Sequence, residues 1–193
     1  MICHDNKWIF IHCQKCGGES IELALSGKAD RGFGGNKYEG TPEKHLCKTG
    51  YIERYGKDIW NEYFTFSFVR NPWDRMISWI FYRDKIFNLY NGNLTKDILI
   101  DEITMKGKGA QYVDLLGLSN HNSTPIKFIG RFENIQNDFE FVCQKLNTSN
   151  VTLPHVNKTI HKHYTEYYDE ETKQLVANKY AKDIEYFGYE FGK

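Results

Sequence analysis

The stretch WIFIHCQKCGGES, residues 8–20, decides how the chain is read. Trp8 to His12 is a short apolar and β-branched run, the composition of a buried strand. Ser20 to Leu25 has the pattern of a helix. Between them stands Lys15-Cys16-Gly17-Gly18, a tight turn in which two residues have no side chain to hold a ligand away from the backbone. Strand, glycine-bearing turn and helix in that order make a phosphate cradle. The first helical N–H groups point out of the helix end, and the helix dipole favours an anion there. Lys15 adds a mobile positive charge and Ser20 a hydroxyl. The run is not the P-loop G-x-x-x-x-G-K-[ST]. A Lys-x-Gly-Gly by itself reads equally well as a plain strand-to-helix turn.

Working outward, strands alternate with helices. YFTFSFV (63–69) is aromatic and β-branched, a strand. RNPWDRMISWIFYR follows at once as a helix: Asn71 caps, Pro72 fits the first position, Asp74 suits the dipole, and Met76, Ile77, Ile80 and Phe81 form an apolar face. RGFGGNKYEG (31–40) reads as a loop, and TPEKH (41–45) opens a helix with Thr41 as its cap. Further on, 95–106 predicts a helix, 126–132 a strand, 137–146 a helix, and 169–188 a last amphipathic helix with a docking turn. This alternation predicts an α/β fold, a mostly parallel central sheet flanked by helices, built as a single domain over residues 1–193.

Composition sets limits. The 193 residues are 40% hydrophobic and 16% aromatic, enough for a full core. Lys+Arg and Asp+Glu balance at 25 each, so no broad basic field exists to draw nucleic acid or an anionic bilayer, and any anion site is local. No run of about 18 apolar residues suggests a transmembrane segment. The start, MICHDNKWIF, lacks a charged-then-apolar signal pattern, which makes the expected location cytoplasmic. The five cysteines, Cys3, Cys13, Cys16, Cys47 and Cys143, then read as thiols.

A second anion anchor repeats the logic of the first. Arg70 ends the second strand, and its planar fork suits phosphate oxygens. Ser78 lies in the following helix, on the face of Asp74 and Asn71. The plainer reading pairs Arg70 with Asp74 and makes Ser78 a small packing residue. Two strand-end anion sites in the first half of one chain together suggest a ligand with two separate phosphate groups.

These residues carry a family resemblance. FIHCQKCGGESIE resembles the 5′-phosphosulfate loop of sulfotransferases, ordinarily a hydrophobic strand followed by Pro-Lys-[Thr/Cys]-Gly-Gly-Thr-Ser. FSFVRNPWDRMISW resembles their 3′-phosphate motif, and IKFIGRFENIQNDFEFVC, LPHVNKT and KYAKDIEYFGYEF are similar to later segments of the same group, the carbohydrate-type sulfotransferase family 2. The resemblance runs from about residue 8 to the C-terminus. It implies a three-layer, P-loop-NTPase-like fold and sulfuryl transfer from 3′-phosphoadenosine 5′-phosphosulfate (PAPS), without a metal, to a hydroxyl of a carbohydrate or glycoconjugate. Carried over by position, Lys15, Gly17, Gly18 and Ser20 would hold the 5′-phosphosulfate and Arg70 and Ser78 the 3′-phosphate; Cys16 and Glu19 are the other cofactor-binding candidates of the loop, and Arg131 is a candidate for the 3′-phosphate or ribose. Two positions depart from the pattern. Gln14 replaces the usual Pro, and Glu19 replaces the usual Thr, putting a carboxylate beside a dianion that it should repel.

Such a transfer is an in-line displacement at sulfur, so the protein orients and neutralises. Lys15 is the expected partner of the leaving phosphate oxygen. A histidine suits the base that takes the acceptor's proton. His45, between the two motifs, is the first choice; its alternative is a helix-surface histidine. His155 is the second choice, on a loop able to cover the cofactor, and with Lys44, Trp73 and Tyr112 it completes the substrate-binding candidates, core packing being the plainer role for the two aromatics. The partner expected is a glycan, a glycolipid or a small hydroxylated acceptor. Three rivals stand beside this reading: a zinc or redox site at Cys13-x-x-Cys16, a nucleotide kinase-like phosphotransferase, and a catalytically inactive nucleotide- or glycan-binding module, which Glu19 favours.

Overall fold

The strands predicted at 8–12, 63–69 and 126–132 form one sheet. The computed structural model describes residues 1–26, 46–105, 110–119, 124–148, 151–156 and 159–193. Among these, four strands follow the order β1-β2-β3-β4: β1 (Ile2–Cys3), β2 (Trp8–Ile11), β3 (Phe64–Val69) and β4 (Phe128–Arg131). β1 pairs antiparallel with β2, while β2, β3 and β4 are parallel. Ile11 lies opposite Ser67 and Val69 opposite Arg131, so the three parallel strands end on the same side, where open α/β sheets place ligands. β3 has neighbours on both sides, and its last five residues are buried, as both faces of a central parallel strand require. The Phe10 and Phe66 rings stack with centroids 5.0 Å apart.

The described helices are α1 (Gly18–Ser26), α2 (Lys48–Tyr55), α3 (Lys57–Glu62), α4 (Pro72–Phe87), α5 (Lys96–Thr104), α6 (Tyr112–Leu115), α7 (Ile135–Lys145), α8 (Glu170–Lys179) and α9 (Ala181–Phe187). The fold is therefore α/β with a mostly parallel sheet, as the alternation predicts. Chain contacts divide it into two units, residues 1–69 with 112–157 and residues 70–111 with 158–193. The first unit holds the sheet. In the second, α4 packs against α5 and α8.

Local chemistry explains the helix ends. The Asn71 side chain accepts from the Trp73 N–H at 3.1 Å and Pro72 opens α4. Thr95 caps α5 through the Ile98 N–H. Asp169 and Thr172 form a reciprocal capping box at α8. The single helix predicted over 169–188 is in fact two. Tyr180, at φ −114° and ψ 28°, interrupts it. Its ring is buried and lies under the Arg75 guanidinium, 5.5 Å from the ring centroid, so packing overrides a helical pattern that continues in sequence. The loop at 31–40 and the helix start at 41–45, with Lys44 and His45, lie outside the described residues. No helix among the described residues is long and apolar enough to cross a membrane. All five cysteines are thiols.

Candidate functional site

The glycine turn is built in the first unit, between the end of β2 and the start of α1. The Ile21 N–H donates to the Gly17 carbonyl at 3.1 Å, the first helical bond of α1. The N–H groups of Gly18, Glu19 and Ser20 thus have no acceptor within the helix. Lys15 has φ +66° and Gly17 φ +77°, two left-handed residues separated by one. A non-glycine residue rarely adopts that conformation. Alternation of hand turns successive N–H groups toward one side, the arrangement from which anion concavities are made. At Gly17 a Cβ would also lie 2.5 Å from Ile135 Cδ1 and 3.5 Å from the Phe132 ring. The turn between β4 and α7 therefore borders the loop, with exposed Arg131 at its start, whose N–H donates to Asp138 Oδ2 at 2.6 Å.

Beneath the loop lies a pair that sequence reasoning missed. His12 Nδ1 is 2.7 Å from Glu22 Oε1, with side chains 6% and 0% exposed. A Cβ at Gly18 would lie 2.6 Å from Cδ2 and Cε1 of His12 and closer still to Nε2. In the sequence His12 is one of seven histidines. The available signal is Glu22, a carboxylate among Ile21, Leu23 and Leu25 at helical spacing from Gly18.

Other loop side chains face protein. Cys16 Sγ lies 3.0 Å from the Tyr112 hydroxyl, and both residues are buried. Cys13 Sγ lies 3.4 Å from Ser67 Oγ, and His4 Nδ1 lies 2.8 Å from the Tyr63 hydroxyl. Among the described residues no group of three or more His, Cys, Asp or Glu could hold a metal ion. Ser20 accepts from the Val156 N–H at 3.3 Å, which leaves its own hydroxyl hydrogen to donate. That contact brings exposed His155, one residue earlier, to the neighbourhood of the loop. Glu19 is half-buried in the first turn of α1.

In the second unit, Arg70 Nε donates to Asp74 Oδ2 at 2.7 Å, with side chains 10% and 18% exposed. The plainer sequence reading of Arg70 is thus present in the structure. Ser78 is buried. The rest of the Arg-Asn-Pro-Trp-Asp-Arg segment ties this unit together. Asn71 Nδ2 donates to the carbonyls of Glu190 and Lys193, Trp73 Nε1 to that of Lys173 at 2.9 Å, and Arg75 Nη1 to that of Ala110 at 3.1 Å. Tyr168 donates to the Trp73 carbonyl, and burial pushes its phenol well up from the ordinary range.

The chain matches the profile of the family described as "Sulfotransferase family" over residues 1–190. It belongs to the sulfotransferase family. A protein of Archaeoglobus fulgidus named "Uncharacterized protein" is 33% identical over 97 residues, which is 48% of this chain and 75% of that protein. No solved structure matches. Family membership supports a sulfotransferase activity in general.

Proposed function

We propose that this chain transfers a sulfuryl group from PAPS to a hydroxyl of a carbohydrate or glycoconjugate. The observation that carries this reading is the left-handed alternation of Lys15 and Gly17 at the start of α1 in a sulfotransferase-family chain. Such a turn suits an anionic oxygen cluster: a helix N-terminus offers backbone N–H groups to an anion, and Ser20 retains a donor hydrogen. PAPS supplies the activated sulfuryl group. Residues 15–20 hold its 5′-phosphosulfate. Arg70 and Ser78 hold its 3′-phosphate, with Asp74 keeping the guanidinium in one orientation. Arg131 serves the 3′-phosphate or ribose. The three-layer, P-loop-like arrangement and the single sulfotransferase domain belong to the same proposal.

In the transfer, the acceptor oxygen forms a bond to sulfur as the bond from sulfur to the phosphate oxygen breaks. The electron pair goes to that phosphate oxygen, and Lys15 neutralises it. A histidine takes the acceptor's proton. His45 is the first choice, and His155 stands near the loop through its neighbour Val156. Lys44 and His155 are the acceptor-side candidates, and buried Trp73 and Tyr112 act on the acceptor through packing. The acceptor class is a glycan, a glycolipid or a small hydroxylated molecule.

Calorimetric titration with 3′-phosphoadenosine 5′-phosphate (PAP), with ADP and ATP–Mg²⁺ in parallel, tests the donor. The expected result is a preference for PAP that Arg70→Ala removes. Preference for ATP–Mg²⁺ would replace this reading with a phosphotransferase. Glu19 favours one second reading, an inactive binding module, for which PAP binds but no labelled sulfate reaches any acceptor.

A further inference from the structure

His12 is the first residue after β2, and its ring lies under the first turn of α1. Gly18 and Glu22, four residues apart, share one face of that helix. The imidazole is bounded by both: Nδ1 lies 2.7 Å from Glu22 Oε1, and the ring occupies the place that a Cβ at Gly18 would take. The Phe10 ring of β2 lies 5.8 Å away between centroids. A carboxylate oxygen accepts, so Nδ1 carries the hydrogen and Nε2 faces Gly18. The ring therefore sets how closely the end of β2 approaches the first turn of α1, the two fixed ends of the anion loop. The short segment between them already contains two left-handed residues and has little slack.

The two loop glycines answer different demands. Gly17 needs its positive φ, +77°. Gly18 has no positive φ, and the three heavy atoms nearest to a Cβ there all belong to the imidazole, so contact with that ring, not backbone conformation, disfavours a side chain. We infer that His12, held by Glu22, is a positioning residue for the anion loop, and that residue 18 is glycine because the His12 ring fills the place of its Cβ. This rests on the reading of the loop as the 5′-phosphosulfate site.

The test compares Glu22→Ala, Glu22→Gln, Gly17→Ala and Gly18→Ala, each glycine variant also combined with His12→Asn, which is shorter yet still a donor to Glu22. Each is titrated with PAP and melted, and the backbone amide resonances of Lys15 to Gly18 are recorded without ligand. Glu22→Ala should weaken PAP binding about tenfold, by analogy with lost outer-shell support at other sites. Glu22→Gln, which keeps an acceptor for Nδ1–H, should stay within about threefold of wild type. His12→Asn should restore most of the binding lost in Gly18→Ala and none of that lost in Gly17→Ala. A lower melting temperature in Glu22→Ala with unchanged PAP affinity would mean that the pair only stabilises the fold, and would overturn the proposal. Absence of the Gly18-specific rescue would do the same, and it decides alone should Glu22→Ala not fold. Shifted loop amides in Glu22→Ala, in a chain whose wild type binds no PAP, would remove the donor reading and leave the positioning role standing. Unmoved amides would remove the positioning role whatever the chain binds.

Discussion

Asp74 holds Arg70 through its Nε at 2.7 Å, across the residue that caps α4. The carboxylate fixes a long side chain that would otherwise lose rotamer entropy on meeting a phosphate. Arg70→Ala should therefore weaken PAP by about 10- to 100-fold, the worth of charge-assisted hydrogen bonds. It should leave ADP, which has no 3′-phosphate, nearly unchanged. Asp74→Ala should lose about threefold to tenfold through misorientation alone, and Asp74→Asn, which keeps an acceptor, less. Calorimetry on the four proteins decides; equal losses for ADP and PAP would take Arg70 out of the 3′-phosphate site.

Lys15 combines a left-handed backbone with the only cation in the loop sequence 12–18. Lys15→Met keeps most of the length of the side chain and removes the charge. The expected result is a fall of about 100- to 1000-fold in kcat, as for loss of one group that stabilises developing charge, with a much smaller change in KM. A change in KM alone would make Lys15 a ground-state binder.

Glu19 is half-buried in the first turn of α1, beside the N–H groups assigned to the donor. Its charge suits the helix dipole and opposes an incoming anion. Glu19→Thr should tighten PAP by about fivefold at low ionic strength, and by less in high salt, where screening weakens the repulsion. An unchanged affinity at both salt concentrations would place the carboxylate facing away from the ligand.

Acid should loosen the start of α8. Asp169 accepts from Lys96 Nζ at 2.6 Å and from the Thr172 N–H at 2.9 Å. The Lys96 hydrogen bond, and then the Thr172 donors, hold its carboxyl below the usual range. A depressed folded value means that the stabilisation is complete above the ordinary carboxyl value of about 3.9 and disappears as pH falls below it. Lys96 is raised by the same contacts with Asp169 and Glu171, so its share persists below its ordinary value of about 10.4 and fades as pH rises past it. Urea midpoints between about pH 2 and 7 should therefore show a shallower acid limb in Asp169→Asn than in wild type. Both side chains are about half exposed, so the difference is small and shrinks in salt. Identical acid limbs would show that solvent already screens the contact completely.

Much of the fold is legible because its signals are local. Asn71 and Pro72 announce α4, Thr95 announces α5, and the run from Trp8 through Gly18 announces a strand, a turn and a helix, all within a few residues. What stayed hidden depends on contacts between residues distant in sequence. β1 is two residues long, too short for any periodicity. Gly56, at φ +88°, separates α2 from α3 in a stretch without a strong apolar stripe. Tyr180 breaks a helix because of what its ring packs against. The same division runs through the candidate site. Lys15, Gly17 and Arg70 are named by motif, whereas His12 gains its place only when the fold lays its ring under Gly18. The structure also bonds Cys16 to Tyr112 and Trp73 to Lys173, uses of those side chains that no motif discloses.

The order of the sheet has a kinetic consequence. β3 is central, and its partners come from opposite ends of its unit: Trp8 faces Phe64, and Phe66 faces Phe128. Neither pairing can reward the chain until a long loop has closed, so refolding should be slow for a chain of this size. Meanwhile FTFSFV, aromatic, uncharged and without proline, is a segment suited to pairing with copies of itself. Recovery from denaturant should therefore fall as protein concentration rises, because intermolecular strand pairing is second order and closure of the native sheet is first order.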